Sequence, residues 1–249
     1  MTVPIHSKLH IQYPSSDGKP MADNTRQWNW ITFIKNGLEE TTVNKKIFVA
    51  GDLLWYPVEG NNKIRVAPDV MVAIGRPKGD RNSYLQWQED YIAPQIVFEI
   101  LSPGNTPKEM KKKHIFYEKY EVKEYYVYDP DNNELEVYNR KNDKLVEIKT
   151  KDWKSPLLKF RLLWTSDTLK LFHPNGAPFL SYAEVIADVK SITKEKNKIK
   201  AENEEVKAEN EEVKVENKKI KAQAIAAQKK AALLAAKLKT LGIDPDSVI

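Results

Sequence analysis

Two acidic residues interrupt two apolar runs. Glu99 stands in QIVFEIL, among Ile96, Val97, Phe98, Ile100 and Leu101, and Asp69 stands in IRVAPDVMVAIG, directly after Pro68. A carboxylate in such surroundings loses water and needs compensation. Acidic groups on neighbouring strands can find it together by sharing a divalent metal, and hard oxygen ligands favour Mg²⁺ or Mn²⁺. Taken singly, each has a plainer reading: Asp69 as a turn or strand-end residue, Glu99 as a strand edge facing water. Two interruptions of two apolar strands ask for one explanation.

A third group lies in KEMKKKHIFYEKY, which contains Lys111, Lys112 and Lys113. At about 100° per residue, Met110, Phe116, Tyr117 and Tyr120 share one arc of a helix. Lys113 falls near the centre of that arc, Lys112 at its edge, and Lys111 nearly opposite. A lysine on a core-facing stripe either snorkels to water or has an acidic partner. The link from the Glu99 strand is short, so Lys113 can fold back towards Glu99. An Asp, a Glu and a Lys around a metal suit phosphodiester hydrolysis. The carboxylates hold the ion, which lowers the pKa of a bound water and polarises the phosphate. The lysine orients or deprotonates the water, or neutralises growing charge.

These residues need elements to hold them. Residues 1–24 carry SSDGKPMADN and read as an arm and linker. TRQWNWITFIKNGLEE has Trp28, Ile31, Ile34 and Leu38 at helical spacing. KKIFVAGDLLWYPV and NNKIRVAPDVMVAIG read as strands around EGNN, RPKGDRNSYLQWQED as a loop with one helical turn, and QIVFEIL as a strand. A helix is expected over about 107–120, then a hairpin of EYYVYD and ELEVYNR around PDNN, then short strands. This gives a mixed α/β domain over 25–185. The 249-residue chain has 41% hydrophobic and 30% charged residues, and no cysteine. Disulfides, thiolate metal sites and cysteine nucleophiles are excluded, and a cytoplasmic location is expected. Apolar runs fall short of 18 residues and the N-terminus lacks a secretory pattern, so no membrane association is expected. A formal charge of +5 and a pI of about 9.0 allow a polyanionic partner. His6, His10, His114 and His173 have no metal-ligand spacing.

APDVMVAIG, PQIVFEILSPGNT and KHIFYEKYEVKEYYVYDPD, in this order, resemble the Uma2 family of endonucleases, within the PD-(D/E)xK restriction-endonuclease-like superfamily. The resemblance covers most of residues 45–180. It implies a central mixed sheet flanked by helices and metal-dependent cleavage of nucleic acid, with DNA the expected substrate. The family's Pro-Asp matches Pro68 and Asp69, and its strand glutamate matches Glu99. The superfamily's lysine, two residues after the glutamate, would fall on Leu101, so that simple motif fails. A helix lysine takes over in this family, at the position of Lys113, which the arc also selects. The resemblance further implies the Ile100 carbonyl as a metal ligand. Asp52, which interrupts FVAGDLLWY, and Glu39 or Glu40, at the end of the first helix, are further acidic candidates beside their reading as turn or surface residues. Arg76, Lys78, Arg81, Lys108, Lys111 and Lys112 are candidate phosphate contacts beside their reading as solvated charge.

From 186 to 241 a seven-residue repeat runs through NKIKAEN, EEVKAEN, EEVKVEN and KKIKAQA, followed by a tail over 242–249. With Ile192, Ile199, Val206, Val213 and Ile220 at d, Asn203, Asn210 and Asn217 fall at a, which predicts a coiled coil. In a parallel pair of helices, Glu202, Glu209 and Glu216 at g meet Lys207, Lys214 and Lys221 at e. An antiparallel pair would set like charges together. A parallel homodimer is therefore expected. The rival to a nuclease is a non-catalytic nucleic-acid- or protein-binding module on the same fold.

Overall fold

Helix α1 (Thr25–Thr41) begins where Asn24, in extended backbone, accepts the Gln27 N–H on its side chain. That cap satisfies one of the free amides of the first turn. Ile31, Ile34 and Leu38 form the buried face, as their spacing predicts, whereas Trp28, expected on the same stripe, is 40% exposed and Gln27 takes the buried position of that turn. Gly37 lies on the same face, where a Cβ would stand only 2.0 Å from the Phe179 ring. The structure, a computed structural model, describes residues 11–18 and 20–242. His6 and His10 lie outside the described residues, as do the first ten residues of the arm and nearly all of the tail.

The strands follow as β1 (Ile47–Gly51), β2 (Trp55–Tyr56), β3 (Val70–Ile74), β4 (Tyr84–Leu85) and β5 (Ile96–Ile100). Helix α2 (Pro107–Lys119) follows, capped by Thr106, whose hydroxyl accepts the Glu109 N–H at 3.2 Å. Then come β6 (Glu124–Asp129), β7 (Glu134–Lys141), β8 (Lys144–Glu147), β9 (Asp152–Lys154), β10 (Arg161–Trp164) and β11 (Leu169–Phe172). The main sheet has the order β1-β3-β5-β6-β7-β8. Its single parallel pair, β5 with β6, is the one joined through α2, as a parallel pair requires a crossover. A three-stranded sheet, β11-β10-β9, and the short parallel pair of β2 with β4 complete the domain. The mixed α/β architecture read from the sequence is the observed one.

Two expected strands are shorter than their apolar runs. The first breaks at Asp52, which takes a left-handed backbone (φ 47°). In the second, Val66 makes only an isolated bridge to Trp55 before β3 starts at Val70. The polar loop after β3 contains β4 and one 3-10 turn, Gln86–Gln88.

Alternation along the strands decides what faces each helix. Val70, Val72, Ile96 and Phe98 pack with Ile31, Ile34 and Leu38 of α1 and with Phe160 and Leu162. Met71, Ala73, Val97 and Tyr125 pack on the opposite face, with Tyr117 of α2. Asp69 and Glu99 stand two residues from Met71 and Val97, so both belong to the α2 face. β3 and β5 are antiparallel with Val70 opposite Phe98, which brings Asp69 and Glu99 to neighbouring strand ends. Helix α3 (Tyr182–Thr240) belongs to a separate compact unit.

Candidate active site

Glu99 is 2% exposed, on a central strand. This removes its reading as an edge residue facing water. Its Oε2 accepts a hydrogen bond from Lys113 Nζ at 2.6 Å. Its Oε1 accepts the Tyr117 hydroxyl. Lys113 and Tyr117 are four residues apart on α2, one helical turn, so both donors reach down from the same face. Lys113 therefore does not snorkel to water. Burial pulls its ammonium down, but Glu99 and Asp69 outweigh that and hold its pKa above the ordinary lysine value. Burial and the neighbouring Glu99 charge push the Tyr117 phenol well above its usual range, so it is a neutral donor.

Asp69 is also buried, and its Oδ2 accepts the Ile100 N–H at 2.6 Å. Burial and the Glu99 charge push it well above the carboxylate range, against the opposing pull of Lys113 and the Ile100 amide. Asp52 is half-buried, and its own N–H donates to the carbonyls of Pro68 and Asp69 at 3.1 and 3.2 Å. Burial, then Asp17, push its carboxyl up to about 6. Asp52, Asp69 and Lys113 line an open cleft of about 890 Å³, whose wall also carries Lys63, Arg65 and Lys112. Glu99 lies beneath it.

Other candidates fall elsewhere. Glu39 pairs with Lys35 at 2.8 Å on a separate depression, and Glu40 lies 3.5 Å from His173 Nε2. Arg76 is buried and donates to Glu89 at 2.8 Å and to Asp90. Arg81 donates to Glu89 at 2.6 Å and covers the Phe48 ring at 3.8 Å. Both arginines hold their own loop together, and neither lines the cleft. Lys78 lines the Glu39 depression, and Lys108 and Lys111 are exposed on α2 outside the cleft.

Sequence reasoning missed Tyr117, Gln27, Lys63 and Arg65. Tyr117 reads as one of the apolar arc in the sequence, and its spacing from Lys113 is the available signal. Gln27 was legible too, since it precedes Ile31 and Ile34 on the buried stripe of α1. Its Nε2 donates to the Ile100 carbonyl at 2.8 Å. Lys63 and Arg65 reach the cleft from an irregular segment without periodicity, so nothing in the sequence marked them.

The donor set suits a divalent cation. Glu99 pairs with the one ammonium, and the upward shift of Asp69 marks a second buried carboxyl with no cation of its own. Asp69 Oδ1 has no hydrogen-bond partner among the described residues. The Ile100 carbonyl keeps a second lone pair beside the Gln27 bond. Among the described residues no group of three or more His, Cys, Asp or Glu side chains is arranged to hold a metal. The set is thus two carboxylates with a carbonyl.

A solved structure similar to the chain is a putative nuclease belonging to DUF820 from Anabaena variabilis ATCC 29413, 19% identical, with a TM-score of 0.42. The similarity covers 57% of this chain and 79% of that one. No curated protein matches. The family model described as Uma2, putative restriction endonuclease, matches residues 14–168, and the chain belongs to the Uma2 family.

Proposed function

We propose that this chain is a metal-dependent endonuclease that hydrolyses phosphodiester bonds in DNA, with Mg²⁺ or Mn²⁺, in the cytoplasm. The observation that carries this reading is the Lys113 ammonium 2.6 Å from a fully buried Glu99, with Asp69 at the next strand end under an open cleft. Asp69 and Glu99 would hold the ion, with the Ile100 carbonyl beside them. The ion supplies a Lewis acid that lowers the pKa of water and polarises a phosphate. Lys113 stays cationic at neutral pH, because its carboxylate neighbours hold its proton. Its part is therefore to orient the water and neutralise charge on the phosphate, not to take a proton. Tyr117 fixes the second oxygen of Glu99. Lys63, Arg65 and Lys112 position the phosphate backbone without reading sequence.

The enzyme works as a parallel homodimer through α3. Its d residues Ile192, Ile199, Val206, Val213 and Ile220 are each more than half exposed in the single chain. Self-pairing covers that stripe and satisfies Asn203, Asn210 and Asn217 by their twins. Val206→Lys with Val213→Lys should give a monomer by light scattering, with the globular fold intact. A Val206→Cys variant should crosslink efficiently between chains, since no native thiol competes. A wild-type mass of one chain at tens of micromolar contradicts the dimer.

The test of activity is incubation with plasmid, linear duplex, single-stranded DNA and RNA, each with Mg²⁺, Mn²⁺ or EDTA. Cleavage of DNA that EDTA abolishes supports the proposal. No cleavage of any substrate, together with no metal binding, overturns it.

A further inference from the structure

The charges of α3 are unevenly distributed. Between Lys218 and Lys239 stand seven lysines, at 218, 219, 221, 229, 230, 237 and 239, and no Asp or Glu occurs between Glu216 and Asp244. The whole chain has 40 basic and 35 acidic residues; without these seven it has 33 against 35, so its charge would be −2 instead of +5. The basic character of the protein is thus concentrated in this one segment. All seven lysines are exposed. Among the described residues only Lys219 touches a carboxylate, Glu216 at 3.7 Å.

Two ordinary explanations fall short. The helix dipole favours cations in the last turn, which accounts for Lys237 and Lys239 only. Pairing between helices neutralises Lys207, Lys214 and Lys221 through Glu202, Glu209 and Glu216. Further along, the same register sets Gln223 against Gln228 and Lys230 against Ala235. Lys219 shares Glu216 with Lys221, and Lys218, Lys229 and Lys230 remain uncompensated in the dimer, so the seven lysines keep a net positive charge. At about 100° per residue they occupy roughly half the circumference, opposite the seam of Ile220, Ala224, Ala227, Ala231, Leu234 and Leu238. At about 1.5 Å per residue the row is about 32 Å long, close to one turn of duplex DNA.

We infer that Lys218–Lys239 of α3 is a second nucleic-acid-binding surface, which contacts the phosphate backbone of duplex DNA outside the cleavage cleft. The partner must be a polyanion long enough to meet lysines spread over six helical turns, and an extended backbone of regular charge meets that need. An anionic membrane fits less well. The segment has no aromatic residue, its Ile220, Leu234 and Leu238 lie on the seam that pairing covers, and Ile225 and Leu233 are the two large apolar side chains left exposed among the lysines, a small apolar surface to enter a bilayer. The inference takes its choice of polyanion from the proposed nuclease reading.

The test is fluorescence anisotropy of the full chain with a labelled duplex of about 30 base pairs, in EDTA, at about 50 to 200 mM salt. A variant with Lys218, Lys219, Lys221, Lys229 and Lys230 changed to Gln keeps helix propensity, and circular dichroism checks its helix. It should bind about tenfold or more weaker at the lowest salt, with log K against log[salt] flattened by about 0.9 per lost phosphate contact. A control with Lys190, Lys194 and Lys198 changed to Gln should stay within about twofold of wild type. Unchanged affinity and slope in the five-lysine variant overturn the inference. So does wild-type binding to phosphatidylserine vesicles without binding to duplex. Asp69→Ala should lose cleavage and keep this binding. Binding that depends on the five lysines without any cleavage would leave this surface standing and remove the nuclease reading, and cleavage with lysine-independent binding would do the reverse.

Discussion

The main sheet buries two glutamates on adjacent strands, and they are held in opposite ways. Glu124, at the start of β6, is 0% exposed and accepts from the Tyr126 hydroxyl and the Ser155 hydroxyl, each at 2.7 Å, and from the Leu157 N–H at 2.8 Å. All three donors are neutral, the Lys159 charge acts on it without a hydrogen bond, and no acidic group joins them among the described residues. Burial pushes its carboxyl up, and these bonds only partly oppose that. It ties β6 to the segment that leads into β10. Glu99, on β5, takes its bonds from an ammonium and a phenol of one helix, beside Asp69 and beneath an open cleft. A glutamate that serves structure is closed off by neutral donors. A glutamate placed beside a second carboxylate and a cation carries an electrostatic imbalance that a metal can relieve. The comparison separates the two by their donors, since burial is the same.

Five substitutions would break or sharpen it. Glu99→Gln should lower plasmid cleavage by at least about a hundredfold, whereas Glu124→Gln should leave turnover within a few-fold. Glu124→Gln should instead lower stability by about 1–3 kcal/mol in urea unfolding, because an amide nitrogen cannot accept from the donors it faces. Equal loss of turnover in both variants, at equal stability, would erase the distinction. Lys113→Ala should remove most turnover, while Lys111→Ala should at most weaken substrate binding in a salt-dependent way. Similar losses in both at low salt would contradict the helix-face assignment. Tyr117→Phe keeps the ring packing and removes one donor to Glu99. About a 10–100-fold loss of Mn²⁺ affinity is expected by calorimetry, the size of effect typical of groups that orient a metal ligand.

The smallest effect concerns Asp52. Its folded carboxyl titrates at about 6, above the ordinary 3.8, so the folded state binds the extra proton. The contribution of Asp52 to stability is greatest below about pH 4 and is lost as pH rises through 6, where the ionised form must be accommodated. In EDTA, Asp52→Asn should therefore raise the Tm above that of wild type at pH 7, and the gain should vanish near pH 4. A gain that is the same at both pH values would show that ionisation is not its source.

The three central residues were legible because each breaks a local pattern. Asp69 and Glu99 interrupt apolar runs, and Lys113 interrupts an apolar helix face. The helices were legible through the spacing of their apolar residues. What escaped depended on contacts distant in the chain. Arg76 and Arg81 look like free surface cations in RPKGDR, and only the return of the chain at Glu89 and Asp90 makes them a buried ion-pair cluster. Glu124 sits at the edge of EYYVYD, where a charge looks ordinary, and its donors Ser155 and Leu157 lie about thirty residues on. Asp52 looked like a strand interruption, whereas its left-handed backbone ends β1 and turns the chain into the cleft wall. Tyr117 was hidden by its dual nature, since its ring packs with Trp55 and Tyr125 while its hydroxyl serves Glu99.

The most direct test of the account is Mn²⁺ titration of wild type, Glu99→Gln and Glu124→Gln side by side, followed by calorimetry at neutral pH. Wild type and Glu124→Gln should bind Mn²⁺ with the same affinity, and Glu99→Gln should lose that binding. Absence of Mn²⁺ binding in wild type, or undiminished binding in Glu99→Gln, would contradict the claim that Asp69 and Glu99 form a metal site.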